Sequence, residues 1–376
     1  MKIIFTGGGT GGHFYPIIAV AERVNGIIDK EKIVGAKLYY FSTEPYDREM
    51  LLETSLIFEE VSAGKRRKYF SLKNFTDLFR MFFGVINAIY KVFTIYPDVV
   101  FGKGGYASFP TILAARILHI PVLIHESDSV PGRVNKWAGH FAKRVAISFQ
   151  EAAEYFPKGK VAWTGHPLRI EVEQPASRDE ALQYFKLEAG LPTILILGGS
   201  QGAELINNTI LDALPRLIKN FQIIHQTGIN NFKNVSGRAA VVLASSKEKN
   251  RYLPFAFLNP LALKMAAGAA TIIISRGGST IFEIAAWGVP SIIVPITLTN
   301  GDHQRKNAFS YAHVGACNVV EEANMTANIL SSEIERITNN KEIWDKMAEN
   351  AKAYGKPGAA YKIARELVDI ALSHEK

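Results

Sequence analysis

The 376-residue chain is too long for one ordinary hydrophobic core and sets the expectation of two domains of common size. Its 48% hydrophobic and 21% charged content belongs to a folded globular protein without disordered stretches, and a single cysteine, Cys317, excludes an internal disulfide and any multi-cysteine metal site. The formal charge of +8 favours an anionic partner, a description that nucleic acid, acidic lipid and phosphorylated substrates all meet.

Only three apolar residues (3–5) follow Met1 and Lys2, too few for the core of a secretory signal, so the chain is expected to stay in the cytosol. A strand over 3–6 runs into the loop GGGTGGH, in which Gly7, Gly9 and Gly12 satisfy G-x-G-x-x-G ahead of a helix. Glycine lets backbone amides approach a phosphate at a helix N-terminus without interference from Cβ. A dinucleotide site would add an acidic residue at the end of the second strand about twenty residues on. The nearest is Glu44, which is late, and His13 stands where a P-loop needs lysine. The loop therefore reads as phosphate-binding. His13 is either an incidental capping or packing residue or, with a pKa near working pH, a general base.

After a strand over 37–42 comes a basic, aromatic-rich segment. Lys65, Arg66, Arg67, Lys68, Lys73, Arg80 and Lys91 interleave with Phe70, Leu72, Phe75, Leu78, Phe79, Phe82 and Phe83, opposed by Asp77 alone. It is either a core helix with a solvated basic start or a surface helix lying in the headgroup region of an anionic membrane. Arg80, Asn87 and Lys91 interrupt it too often for it to span a bilayer. A strand over 99–101 then leads into a second glycine cluster, Gly102, Lys103, Gly104, Gly105 and Tyr106, before a helix near Ser108. Two such loops in one lobe suit a pyrophosphate held between two helix N-termini. His125 and Glu126, at the end of a strand over 122–125, invite a zinc-protease reading. Position 129 is Ser129 rather than the second histidine, so no metal site is expected.

The pattern restarts at Leu191, with a strand over 193–197 running into Gly198, Gly199, Ser200, Gln201 and Gly202. These residues formally match the G-x-S-x-G nucleophile elbow of hydrolases. The acid and histidine on offer, Asp302 and His303, are adjacent, and a hydrolase would leave the first half's glycine loops without a task. Strands over 270–275 and 291–295 follow. Arg276, Gly277, Gly278 and Ser279 turn the first of them into a helix, where Thr280 and Glu283 form a T-x-x-E capping box or Glu283 accepts the hydroxyls of a ribose. Asp302, His303, Gln304 and Asn307 gather at another helix start, suited to sugar hydroxyls. Strands alternating with helices predict an α/β protein of two Rossmann-like parallel-sheet domains facing across a cleft. The expected domains are 1–163 with a returning helix over 358–376, and 164–357, parted near the turn Trp163, Thr164, Gly165, His166, Pro167.

Taken together, GGGTGGHFYP, FGKGGYASFP, HESDSVPGRVNKW, GHPLR, LGGSQGA, HQTG, SRGGSTIFEIAAWGVPSIIVP and DHQRKNA closely resemble, in order from residue 1 to about 320, the MurG family of bacterial UDP-N-acetylglucosamine:lipid I N-acetylglucosaminyltransferases, family 28 enzymes with the GT-B fold. The resemblance implies inverting transfer of GlcNAc from UDP-GlcNAc to the 4-hydroxyl of MurNAc in a polyprenyl-pyrophosphate-linked pentapeptide acceptor, giving the lipid II of peptidoglycan synthesis. It implies a peripheral enzyme on the anionic cytoplasmic face of the plasma membrane, partnered by a cell-wall synthesis complex and not by nucleic acid. By resemblance, Gly11, Gly12 and His13 with Gly104, Gly105 and Tyr106 receive the acceptor pyrophosphate. His13 is the favoured base, with Glu126 the second candidate. The donor set is Thr10, Gly11, Gly12, Asn135, Arg169, Ser200, Gln201, Gly202, Phe257, Leu258, Arg276, Ser279, Thr280, Glu283, His303 and Gln304; Asn135 also lines the acceptor side. Within it Ser200, Gln201, Gly202 and Arg169 take the diphosphate, Glu283 the ribose, Phe257 and Leu258 the uracil, and His303 and Gln304 the GlcNAc. Neither a metal nor a cofactor is expected, in line with the lack of a D-x-D carboxylate pair. Many relatives read HEQN where this chain has His125, Glu126, Ser127 and Asp128, and some carry two glutamines in place of His303 and Gln304. Another GT-B enzyme, a nucleotide-sugar epimerase or a silent nucleotide-sugar-binding protein are the remaining alternatives.

Overall fold

The computed structural model describes residues 1–64, 73–199, 202–297 and 302–373, with the side chains of 73–79 outside that description. The chain divides into two units, Met1–Arg169 with Gly358–Lys376, and Ile170–Pro357. The crossing lies after Arg169 rather than after residue 163, because the Trp163 turn packs with the first unit. Gly165 N donates to Ile147 O at 3.2 Å, and the Ser148 hydroxyl meets His166 Nδ1 at 3.2 Å.

The first unit carries seven parallel strands: β1 (Lys2–Thr6), β2 (Lys37–Ser42), β3 (Leu56–Glu60), β4 (Val99–Gly102), β5 (Val122–Glu126), β6 (Arg144–Ile147) and β7 (Val161–Trp163). Their order is β3-β2-β1-β4-β5-β6-β7. Inner parallel strands are covered on both faces, which is why they read as short unbroken apolar runs. Ile3 and Phe5 pack toward the helix Gly11–Glu31, while Ile4 points the other way, toward Val92 and Ile112. The helix Ala359–Leu372 belongs to this unit, burying Ile363, Leu367 and Val368 in the cluster that holds Ile18 and Val24. Arg365 pairs with Glu31, and Arg144 Nε with Glu366 Oε1 at 2.9 Å.

The second unit carries six parallel strands: β8 (Thr193–Leu197), β9 (Gln222–Gln226), β10 (Tyr252–Phe255), β11 (Ile272–Ser275), β12 (Ser291–Ile293) and β13 (Cys317–Val319), in the order β10-β9-β8-β11-β12-β13. Ile194 and Ile196 face the helices Glu204–Leu217 and Ala327–Thr338; Leu195 and Leu197 face Pro260–Ala269 and Thr280–Trp287.

Each sheet reverses its lateral progress once. In the first, β1 to β3 step outward one way and β4 restarts on the other side of β1; in the second, β11 restarts beside β8. The loops leaving β1 and β4, and those leaving β8 and β11, therefore part side by side. In doubly wound sheets this is the crevice that takes ligands.

The interior of the second unit also holds a neutral histidine. Asn207 Nδ2 donates to Thr227 O at 3.0 Å, which leaves Asn207 Oδ1 to accept from His225 Nε2 at 3.0 Å. His225 Nδ1 then accepts from the Tyr252 hydroxyl at 2.9 Å. Burial lowers this imidazole from 6.5 to about 3. Between those values the unfolded chain binds a proton that the folded unit refuses, so this contribution to stability is complete above pH 6.5 and is lost as pH falls toward 3. At pH 5 the loss is about 2 kcal/mol. Denaturant titrations at neutral pH and at pH 5 should show it, and His225→Gln should flatten the pH slope by that amount. An imidazolium signal from His225 in nuclear magnetic resonance at pH 5 would contradict the assignment.

Candidate active site

In the first unit, β1 delivers the chain into loop 7–10 and the helix Gly11–Glu31 begins with Thr10 as N-cap. The Thr10 side chain does not cap the helix; its Oγ1 meets His13 Nδ1 at 2.9 Å. The first-turn amides of Gly11 and Gly12 thus face outward, as the opening N–H groups of a helix do. Beside them, β4 delivers Gly104 and Gly105, with φ of 90° and 80°. A Cβ on Gly105 would lie 3.2 Å from Gly8 O and 3.4 Å from His13 Nε2, and one on Gly104 would lie 2.8 Å from Asn135 Nδ2. The two glycine loops interlock around His13, and only glycine fits the second one.

The floor of this cradle is a buried polar network. Glu126 Oε1 accepts from the amides of Ser127 and Asp128 at 2.7 and 2.9 Å, and Oε2 from Gly132 N and Asn135 Nδ2, both at 3.0 Å. Asn135 Nδ2 also reaches His125 O at 3.0 Å. Burial and the neighbouring Asp128 push the Glu126 carboxyl up from its ordinary value, while Lys103 and the N–H donors pull it back. Lys103 is itself 2% exposed and donates to Ser127 Oγ. Burial lowers its ammonium, and Glu126 and Asp128 raise it. Burial and Lys103 together hold the His13 imidazole down, to about 3. Behind it, the Ser148 hydroxyl sits between His125 Nε2 at 3.1 Å and His166 Nδ1 at 3.2 Å.

In the second unit, β8 delivers Gly198 and Gly199, and Gly202 precedes the helix Glu204–Leu217; Ser200 and Gln201 lie outside the described residues. Gly202 has a φ of 80°, and a side chain there would strike Thr227 O and Asn231 Nδ2. The adjoining loop from β11 is clamped to the helix His303–His313, since Asn307 Nδ2 donates to Gly277 O at 3.3 Å. Ser279, not Thr280, is the N-cap of the helix Thr280–Trp287, and it makes no side-chain cap bond. The expected Thr280–Glu283 capping box is therefore absent: the helix starts one residue early, which places Glu283 at its fourth position. Arg276 Nη1 is tied to Glu322 Oε1 at 2.7 Å and Val294 O at 3.0 Å, so it braces the loop after β12. Gln304 Oε1 accepts from Ile296 N at 3.2 Å. The Leu258 amide donates to Gln226 Oε1 at 3.0 Å, which fixes the backbone of the Phe257–Leu258 segment. Arg169 falls in the first unit, with its guanidinium 4.5 Å from the centre of the Tyr15 ring.

The model of the glycosyltransferase family 28 N-terminal domain matches residues 3–147, and that of the family 28 C-terminal domain matches residues 193–364. The chain belongs to glycosyltransferase family 28. A UDP-N-acetylglucosamine–N-acetylmuramyl-(pentapeptide) pyrophosphoryl-undecaprenol N-acetylglucosamine transferase of Pediococcus pentosaceus is 34% identical over 362 residues, 96% of this chain and 97% of that one. Its namesake in Halothermothrix orenii is 34% identical over 383 residues, 99% of each. The crystal structure of Acinetobacter baumannii MurG superimposes with a TM-score of 0.73 at 25% identity, covering 98% of this chain and 99% of that one.

The enzyme is thus a GT-B glycosyltransferase, and both glycine cradles fall at the switch points of its family 28 domains. The nucleophile-elbow reading of 198–202 gains nothing from the fold: Asp302 and His303 are consecutive residues at one helix start, with Asp302 Oδ2 3.7 Å from Arg305. Three further residues shape the sites. Lys103 was visible only as the odd member of a glycine cluster, and Gln226 as part of HQTG; Asn231, beside Gly202, carried no signal. Gly105→Ala should lower kcat/KM for transfer by about tenfold or more, since it forces a side chain onto a φ of 80° and ψ of 166°, a region open essentially to glycine alone, and into contact with Gly8 O. UDP binding should be unchanged. Steady-state kinetics beside UDP titration check both, and full activity would remove the loop from the site.

Proposed function

We propose that this family 28 enzyme transfers GlcNAc from UDP-GlcNAc to the 4-hydroxyl of MurNAc in a polyprenyl-pyrophosphoryl-MurNAc-pentapeptide, with inversion, to make the disaccharide lipid used for peptidoglycan. What carries the reading is near-full-length similarity to transferases named for this donor and acceptor, in a chain that sets a glycine-rich strand-to-helix loop at the switch point of each unit. The second unit takes the donor. The helix start behind Gly202 meets the diphosphate with Ser200 and Gln201, Glu283 takes the ribose, Phe257 and Leu258 the uracil, and His303 and Gln304 the sugar. Ser279 and Thr280 add hydroxyls at the turn. The first unit takes the acceptor diphosphate on the amides of Gly11, Gly12, Gly104, Gly105 and Tyr106.

In the transfer, His13 Nε2 accepts the proton of the acceptor hydroxyl as its oxygen attacks C1 of GlcNAc from the face opposite UDP. The bond from C1 to the β-phosphate oxygen breaks, and UDP leaves with the electron pair, its charge met by a helix N-terminus. The low pKa of His13 keeps it unprotonated and ready, and an arriving diphosphate, being anionic, raises it toward working pH. Glu126 has both oxygens engaged by four N–H donors, which supports a bracing role for it and favours His13 as the base.

Incubation of the purified enzyme with UDP-GlcNAc and a lipid-linked MurNAc-pentapeptide should yield the disaccharide lipid; absence of product from folded protein would end the proposal. His13→Ala should lower kcat by about 10²–10⁴ while leaving the Kd for UDP within about twofold. An unchanged kcat would take His13 out of the proton transfer.

The acceptor's lipid favours attachment to an anionic membrane surface through the helix Lys73–Ile95. Ala88 and Val92 bury one side of it, while Phe82, Phe83, Ile86, Tyr90 and Phe93 stand 50–68% exposed along the other. Among the described residues no helix is long and apolar enough to cross a membrane. Lys65, Arg66, Arg67 and Lys68 lie outside the described residues, and Lys91 is paired with Glu59 at 2.7 Å. Phe82→Asp with Tyr90→Asp should abolish sedimentation with vesicles containing phosphatidylglycerol without changing UDP affinity; equal sedimentation would count against this face.

A further inference from the structure

Lysine is among the residues least often buried, and Lys103 is buried among the glycines of loop 102–106. Its backbone amide continues the β1–β4 pairing by donating to Thr6 O at 2.8 Å, and its Cβ lies 3.0 Å from where a side chain on Gly7 would start. The residue is therefore wedged between the two glycine loops. Its ammonium hydrogen-bonds a neutral hydroxyl, that of Ser127, and among the described residues it forms no ion pair. Glu126 directs both oxygens to four N–H donors, and it and Asp128 act on the lysine through their charge. A buried charge without a contacting counter-ion is costly, and fixed structure normally supplies one. Here it supplies a hydroxyl under a row of outward-facing amides.

We infer that Lys103 is a positioning and specificity residue for the acceptor: wedged beneath the glycine loops, its ammonium supplies the positive charge that makes the cradle select a lipid diphosphate over a monophosphate. The inference rests on the proposed acceptor role of the first unit. Lys103 works through the loops, holding loop 127–132 by way of Ser127 while adding its field to amides that touch the phosphate. The donor also carries a diphosphate, so the two sources are separated by saturating the second unit with UDP.

The test uses the full-length enzyme, with Lys103→Met and Ser127→Ala compared to the unaltered chain. Under saturating UDP, inorganic pyrophosphate and orthophosphate are titrated calorimetrically, and KM and kcat are measured with acceptors bearing a diphosphate or a monophosphate. The expected result is that Lys103→Met raises the diphosphate acceptor's KM about tenfold or more, erases the preference over monophosphate, and leaves kcat within about threefold. UDP affinity, reporting an intact second unit, and the thermal melting profile should be retained. Ser127→Ala keeps the charge and should retain the preference. If Lys103→Met binds pyrophosphate as tightly as the unaltered enzyme, or raises KM equally for both acceptors, the inference is overturned. If the unaltered enzyme itself fails to bind pyrophosphate, the acceptor assignment falls, and this inference with it.

Discussion

In a parallel sheet every strand ends on the same side, so all the connecting loops compete for space at that rim. Only where neighbouring strands send the chain off in opposite lateral directions does the rim open, and here that happens between β1 and β4 and between β8 and β11. Each opening receives two strand-to-helix turns at once, and the backbone amides of two helix starts are brought close enough to address one diphosphate. In the first opening the glycine follows from this crowding, since at Gly105 a methyl group would press on Gly8 O; at Gly202 it would press on Thr227 O, in the loop that leaves β9 on the other side of β8. Sequence at these positions is dictated by the spacing of two strands as much as by the ligand.

The two cradles differ in what lies beneath them. Under the first is a buried electrostatic floor, in which Lys103, Glu126, Asn135, His125 and His166 sit within one connected region at the ends of β4 and β5. Burial, with Lys103 adding to it, depresses the imidazoles of His13, His125 and His166. Under the second the connections are mostly neutral: Asn307 to Gly277, Gln226 to Leu258, Asn231 to Thr227. The charged brace there, Arg276 with Glu322, is a paired one.

Much of this was legible in the residues. The inner strands announced themselves as Ile- and Val-rich runs ending in glycine, and both cradles were located from those glycines. The edge strands were not. β7 is three residues long with two of them exposed, and β10 carries Pro254; the inner β9 was missed as well, because it begins and ends in glutamine. Strand order is a property of the folded sheet, and with it the adjacency of loops 7–10 and 103–105, which lie far apart in sequence. The Thr280–Glu283 motif misled because a capping box fixes a helix start only when the chain enters in extended conformation; Ser279 enters in helical conformation and moves the start. That Lys103 is buried could not be read from a basic residue flanked by glycines, which in isolation suggests an exposed turn.

The helix Ala359–Leu372 gives the chain an unusual order of completion. The first unit is built from two segments that flank the second in sequence, with Ile363, Leu367 and Val368 seated against residues of the helix Gly11–Glu31. During synthesis on the ribosome, the second unit emerges whole while the first still has an open groove along Ile18 and Val24. The second unit can therefore fold as a finished insert before the first is sealed. A nascent chain arrested before Gly358 would hold a finished second unit and an unsealed first one, a species prone to capture by chaperones.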